Sequence, residues 1–177
     1  YPGIEVITAD DGEVLCRGPI VFSGYLDDPQ RSAEALDADG WLHTGDIGEF
    51  DEDGYLKIVD RKKELIITAG GKNVSPANVE AVLKTVPLVG QAMAIGDAKP
   101  YLVALVTLDP DSVAARFPGR AIADVAADPQ VVQEIADGVA VANDRLSRVE
   151  QPRRIAVLDE EWLPDSDVLT PTMKLKR

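Results

Sequence analysis

The stretch from Gly54 to Pro76 constrains this chain more than any other. An apolar strand over residues 55–59 runs into the charged cluster Asp60-Arg61-Lys62-Lys63, and a second apolar run, Leu65-Ile66-Ile67, follows at once. A Gly70-Gly71 turn comes next. Ser75-Pro76 then supplies a helix cap and a first-turn residue with a preset φ. The residues ahead of the charged cluster carry strand signals, whereas strands and helices alternate behind it. The cluster therefore marks a change of architecture.

The pattern on either side fills in that division. Residues 4–8 and 13–17 alternate as two strands around the Asp10-Asp11-Gly12 turn. Asp28-Pro29 opens a short helix reaching Leu36, and a hairpin follows from residues 46–50 through Asp51-Glu52-Asp53-Gly54 to 55–59. Beyond the cluster, Ser75 caps a helix from Pro76 to about Thr85 whose apolar face is Val79, Val82 and Leu83. Val89–Ile95 and Leu102–Leu108 read as strands, and Asp109-Pro110-Asp111 starts a short helix. Asp128-Pro129 starts a longer helix ending near Val149, with Val132, Ile135, Val139, Ala142 and Leu146 at helical spacing. Arg154–Leu158 is a last strand, and the Ala/Gly/Pro/Asp-rich residues 109–130 read as a surface excursion. The fold class is α+β: a small β-rich segment over 1–59, a junction at 60–61, and a compact α+β domain over 61–177.

Composition narrows the partners. With a formal net charge of -13 and a pI near 4.4, the chain is a poor match for charge-driven binding to nucleic acid or anionic membranes. Its single cysteine, Cys16, excludes an internal disulfide framework and fits a reducing compartment, with the thiol read as buried and structural. No apolar run approaches the ~20 residues of a transmembrane helix, and the N-terminus is not a signal peptide. Tyr1-Pro2-Gly3 lacks an initiator Met and Lys174-Leu175-Lys176-Arg177 stops on a basic cluster, so a piece of a longer protein is expected.

Four groups of residues carry chemistry. Within Trp41-Leu42-His43-Thr44-Gly45-Asp46 the carboxylate of Asp46 sits at the mouth of a strand and can accept two hydrogen bonds at once, which matches two adjacent sugar hydroxyls. Thr-Gly-Asp is equally a common turn, and His43, the one histidine, reads as a packing residue beside Trp41. Arg61 is a permanently charged fork suited to hydroxyls and phosphate oxygens, although Asp60 to Lys63 also reads as a solvated polar linker. Gly70-Gly71-Lys72-Asn73 is not a phosphate-binding P-loop; its glycines would let backbone pass close to a thin ligand, or simply form a tight turn. The tail Leu169 to Arg177, with Lys174, reads on its own as a solvated terminus. No set of metal ligands stands out.

Taken together and in order, these residues resemble the adenylate-forming superfamily of acyl-CoA synthetases, peptide-synthetase adenylation domains and luciferases. Glu64-Leu65-Ile66-Ile67-Thr68-Ala69-Gly70-Gly71-Lys72-Asn73 is most similar to the long-chain fatty acid CoA ligases, and Gly12 to Pro19 with Gly24-Tyr25 also matches a segment of the superfamily. The resemblance implies that residues 1–59 end the β-barrel part of a large adenylating domain and that 61–177 form a mobile lid. It implies that Asp46 and Arg61 bind the nucleotide ribose, Asp60 is the hinge, and Gly71 with Gly70 lines the coenzyme A path. It also implies that Lys174 is the catalytic lysine of acyl-adenylate formation, with Met173 where many members have glycine. The substrates would be fatty acid, ATP with Mg²⁺, and coenzyme A; the other partner would be the rest of the protein's own N-terminal domain. Two other readings stay open: an adenylating enzyme that loads a carrier protein, and a non-catalytic acyl-nucleotide-binding module. The protein would be cytoplasmic, and a missing part could bring it to a membrane surface.

Overall fold

The computed structural model describes residues 2–172, 175 and 176. The chain forms two compact units, 1–65 and 66–177.

The first unit is a four-stranded antiparallel sheet in the order β1-β2-β3-β4, with β1 at Glu5–Thr8, β2 at Glu13–Arg17, β3 at Leu42–Phe50 and β4 at Leu56–Arg61. A short helix, α1 (Pro29–Ala35), is capped by Asp28, whose carboxylate accepts the Arg31 N–H. The strand expected to begin at residue 46 begins at Leu42, because Cys16 and Leu15 of β2 pair with Leu42 and His43. Sequence periodicity misses this start, since the Thr44-Gly45 dipeptide reads locally as a turn. The strand expected to close at 59 continues through Asp60 and Arg61, opposite Ile47 and Asp46. Val14 and Leu15 are the buried apolar side chains among the described residues of this unit, whereas Ile7, Phe50 and Ile58 stay exposed. Cys16 is half-buried, not buried as expected, because it lies where β2 passes from buried to partly open positions.

The second unit contains a core of its own. A two-stranded hairpin of β5 (Ile66–Ile67) and β6 (Asn73–Val74) leads into helix α2 (Pro76–Leu83), capped by the Ser75 hydroxyl, which accepts the Asn78 N–H. A three-stranded sheet has the order β7-β8-β9, where β7 (Val89–Ile95) is antiparallel to β8 (Val103–Leu108) and β8 is parallel to β9 (Arg154–Val157). Helices α3 (Pro110–Arg116), α4 (Ile122–Ala126) and α5 (Pro129–Ala142) lie between β8 and β9 in sequence. The predicted face of α2 is buried at Val79, Val82 and Leu83, and that of α5 at Ile135, Val139 and Ala142 and beyond it at Leu146, but Val131 rather than the expected Val132 is buried in its first turn. Each fully buried aliphatic side chain of this size contributes about 1.5–3 kcal/mol.

Two expectations need correction here. The helix from Pro129 ends at Ala142 rather than near Val149. Asn143 and Asp144 are weak helix formers, and a 3₁₀ turn over Asn143–Arg145 replaces the α-helix. The Gln151 amide then donates to the Asn143 and Leu146 carbonyls at 2.9 and 3.2 Å, supplying partners that a continuing helix would have given. Residues 109–130 are no surface excursion, since Val113, Val125 and Ala126 are buried in the core. The Asp109 cap and the high helix propensity of alanine fold them into α3 and α4. Among the described residues, no helix is long and apolar enough to cross a membrane.

Candidate functional site

In the first unit, β3 and β4 bring the two sugar-binding candidates together. Asp46 and Arg61 are direct cross-strand partners, and Arg61 Nε lies 2.9 Å from Asp46 Oδ1. Both side chains remain accessible, Arg61 far more so than Asp46. The stretch of β3 that presents Asp46 is set by its neighbours. Thr44 Oγ1 donates to the Val14 carbonyl at 2.7 Å and accepts the Asp46 N–H at 3.1 Å. Gly45 sits at φ +72°, a left-handed backbone that glycine adopts without penalty.

Behind this pair stands a residue that sequence reasoning passed over. Glu13, at the start of β2, is only 5% exposed. Its Oε1 accepts the Gly45 N–H at 2.9 Å, while Oε2 accepts from Lys62 Nζ at 2.9 Å and lies 3.1 Å from His43 Nδ1. Lys62 Nζ also reaches Asp11 Oδ2 at 2.6 Å, and its backbone N–H donates to the Gly45 carbonyl at 2.8 Å. Burial alone would push the Glu13 carboxyl up. The Lys62 ammonium, His43 and the Gly45 N–H outweigh it and hold the group below the usual carboxylate range. Asp11 is held low by Lys62, whose own ammonium is raised by its hydrogen bonds to Asp11 and Glu13.

Lys62 is therefore a fixed member of the site and not a solvated linker charge. His43 also joins this polar network through Glu13, and Arg17 stacks over the Trp41 ring at 4.4 Å. The only sequence signal for Glu13 is its place directly after the Asp-Asp-Gly turn, which does not separate it from the many surface acids. Glu13, Tyr25, Arg31, His43, Arg61 and Lys62 share the lining of one open cavity of about 570 Å³. Asp60 lies in β4, where its Oδ1 accepts the Arg61 N–H at 2.7 Å.

In the second unit the glycine segment is the turn of the β5–β6 hairpin. Thr68 N–H donates to Lys72 O at 3.0 Å and Gly71 N–H to Thr68 O at 2.8 Å, with Gly71 at φ +70°. No atom lies within 4 Å of where a Gly71 Cβ would stand. Gly70 lines a cleft of about 210 Å³ together with Lys72, Tyr101, Arg148 and Arg153. That cleft gathers three cations with no carboxylate among its lining residues, in a chain where acids outnumber bases. Lys174, the expected catalytic lysine, lies outside the described residues. Among the described residues no group of three or more His, Cys, Asp or Glu could hold a metal ion.

Set beside known proteins, the chain is matched over residues 63–167 by the family model for the AMP-binding enzyme C-terminal domain. A Mycobacterium tuberculosis protein named as a fatty-acid–CoA ligase, FadD11, is 52% identical over 181 residues, covering 99% of this chain and 32% of that protein. The long-chain-fatty-acid–CoA ligase FadD15 of the same species is 46% identical over 182 residues, covering 99% and 30%. Among solved structures, the o-succinylbenzoate coenzyme A synthetase MenE of Bacillus subtilis, in complex with AMP, matches with a TM-score of 0.67 at 27% identity, covering 99% of this chain and 33% of that one. The chain thus spans about a third of the length of the relatives it matches.

Proposed function

The chain belongs to the family of AMP-binding enzyme C-terminal domains, and on that premise we propose that it is the C-terminal part of an ATP-dependent, AMP-forming long-chain fatty acid–CoA ligase. The observation that carries the reading is the 2.9 Å cross-strand pair of Asp46 and Arg61 beside a cavity of about 570 Å³. A carboxylate and a guanidinium held this way offer an acceptor and a donor to the two hydroxyls of a ribose. The likeness to proteins named as fatty-acid–CoA ligases supports the choice of acyl substrate.

In the first step a fatty acid carboxylate oxygen attacks the α-phosphorus of ATP, the bond to the β-phosphate oxygen breaks, and pyrophosphate leaves. Charge builds on the phosphoryl oxygens, and Lys174 supplies the ammonium that offsets it. In the second step a coenzyme A thiolate attacks the acyl carbon, the bond to the phosphate oxygen breaks, and AMP leaves. The phosphate-rich end of coenzyme A suits the cationic cleft of Lys72, Arg148 and Arg153, and its thin pantetheine arm suits the Gly70-Gly71 turn. Asp60 serves as the pivot between the two steps, with residues 61–177 as the lid. The sparse apolar burial of the first unit supports its being one part of a larger domain.

The test separates the half-reactions in the full-length protein. Lys174→Ala abolishes acyl-adenylate formation and spares thioester formation from pre-made acyl-adenylate, whereas Gly71→Leu does the reverse. Loss of the same half-reaction in both variants would overturn the assignment.

A further inference from the structure

The buried acid of the first unit has no part in the chemistry just described, yet it bonds the strand that carries Asp46 and the residue that follows Arg61. We propose that Glu13 is the positioning residue of the Asp46–Arg61 clamp, one carboxylate tying the Thr44–Gly45–Asp46 stretch of β3 to the Arg61–Lys62 segment. The inference rests on the reading of Asp46 and Arg61 as nucleotide ligands.

Three observations carry it. Glu13 Oε1 accepts the Gly45 N–H at 2.9 Å, so it holds the residue immediately before Asp46. Glu13 Oε2 accepts from Lys62 Nζ at 2.9 Å, so it holds the residue immediately after Arg61. Both neighbouring strand pairs also slip in register nearby, between Glu13 and Leu15 on β2 and between Ile47 and Gly48 on β3. Backbone pairing alone therefore leaves the alignment of Asp46 and Arg61 less determined than in a regular ladder. One backbone bond, Lys62 N–H to Gly45 O at 2.8 Å, joins the two segments, and a carboxylate with two oxygens, fixed by burial and reaching both of them, adds a side-chain constraint beside it. Asp11 and His43 complete its surroundings: Asp11 shares Lys62, and His43 Nδ1 shares Oε2. Glu13 touches neither sugar nor phosphate in this scheme; it acts through Asp46 and Arg61.

The experiment measures ATP-dependent pyrophosphate release by the full-length protein for wild type, Glu13→Gln, Asp46→Asn and the double variant. Glu49→Gln, in the exposed Lys57–Glu49 pair of the same sheet, is the control. Glutamine keeps the shape and can still accept from Gly45, but it no longer pairs with Lys62. Glu13→Gln raises the ATP KM about ten-fold with kcat within about two-fold. In the Asp46→Asn background the same change adds at most about two-fold, since the clamp is already broken. Lys62→Gln reproduces the KM effect from the other end and covers the case of a poorly folding Glu13 variant. Independent, multiplying effects, or a fall in kcat and thermal stability with KM unchanged, would overturn the proposal. If wild type releases no pyrophosphate, the ligase reading fails, and the positioning claim is decided by NMR on the full-length protein. There, faster exchange of the Arg61 Nε–H in Glu13→Gln supports it and unchanged exchange overturns it.

Discussion

Replacing Asp46 by alanine should cost the nucleotide-binding step far more than the fold. The side chain makes one ion pair, Nε of Arg61 to Oδ1 at 2.9 Å, and Arg61 is 65% exposed. Solvent screens such a pair, so its loss is worth at most about 1 kcal/mol. For a chain of this size that shifts the melting temperature by roughly 2–4 °C. The backbone N–H of Asp46 bonds to Thr44 Oγ1 and survives the substitution. The hydrogen bonds of sugar hydroxyls to an ionised acceptor are worth about 1.5–3 kcal/mol. At 1.4 kcal/mol per factor of ten, kcat/KM for ATP in the full-length protein falls by roughly 10- to 150-fold. Initial rates of pyrophosphate release against ATP concentration, with a thermal melt of the same sample, give both numbers. An unchanged kcat/KM would refute the ribose assignment. A melting temperature lowered by more than about 8 °C would instead make Asp46 a structural residue.

Three further outcomes follow from the second unit and from the charge pattern. Gly71→Ala should destabilise the chain by about 1–2 kcal/mol because residue 71 sits at φ +70°, whereas Gly70→Ala, whose Cβ would meet only Thr68 Oγ1 at 4.0 Å, should be near neutral in a denaturant titration. Ile135→Ala, fully buried on α5, should lower unfolding free energy by about 2–5 kcal/mol, and a loss below about 1 kcal/mol would show the site to be loosely packed. The carboxyls of Asp11, Glu13, Asp109, Asp128 and Glu134 are all depressed in the folded state, so the stability they contribute is present above their unfolded values near about 4. That stability is lost as pH falls through the lower folded values; thermal melts from pH 7 to 3 should stay level to about pH 5 and then drop.

Most of the fold could be read from local signals because those signals are local in origin. Asp28, Ser75, Asp109 and Asp128 each precede a proline, and each accepts a hydrogen bond from a first-turn N–H. The apolar faces of α2 and α5 follow from helical spacing in the same way. The errors differ in origin, and one of them comes from a partner distant in sequence. β3 starts early because β2, some 30 residues away, pairs with it, whereas α5 ends early at the weak helix formers Asn143 and Asp144, where the Gln151 amide takes the Asn143 carbonyl. The site divides along the same line. Asp46 and Arg61 stand in recognisable motifs, but Glu13 acquires its role from Gly45, His43 and Lys62, separated from it by 30 to 49 residues. One acid among 31 gives no sign of which will be buried.

The same contacts bear on where the proposed turn of the lid takes place. The compact units divide after Leu65, while β4 keeps Asp60 and Arg61 paired with β3. Rotation about the backbone of Asp60 would carry Arg61 and Lys62 off the strand. It would break the Lys62 N–H bond to Gly45 O at 2.8 Å, the Lys62 contacts to Asp11 and Glu13, and the Arg61–Asp46 pair. The accessible pairs cost little to open, but parting a buried carboxylate from its cation approaches the few kcal/mol of a broken buried pair, reduced here by the Gly45 and His43 partners that remain. Coenzyme A must then bind the turned state more tightly by at least that amount. A turn at residues 63–65 would leave every one of these contacts intact and require no such difference. Hydrogen exchange of the Lys62 amide separates the two cases. We expect it to be protected in full-length protein with ATP and fatty acid, and to lose that protection with an unreactive acyl-adenylate analogue and coenzyme A. Equal protection in both states would move the pivot past Lys62 and remove Asp60 from that role.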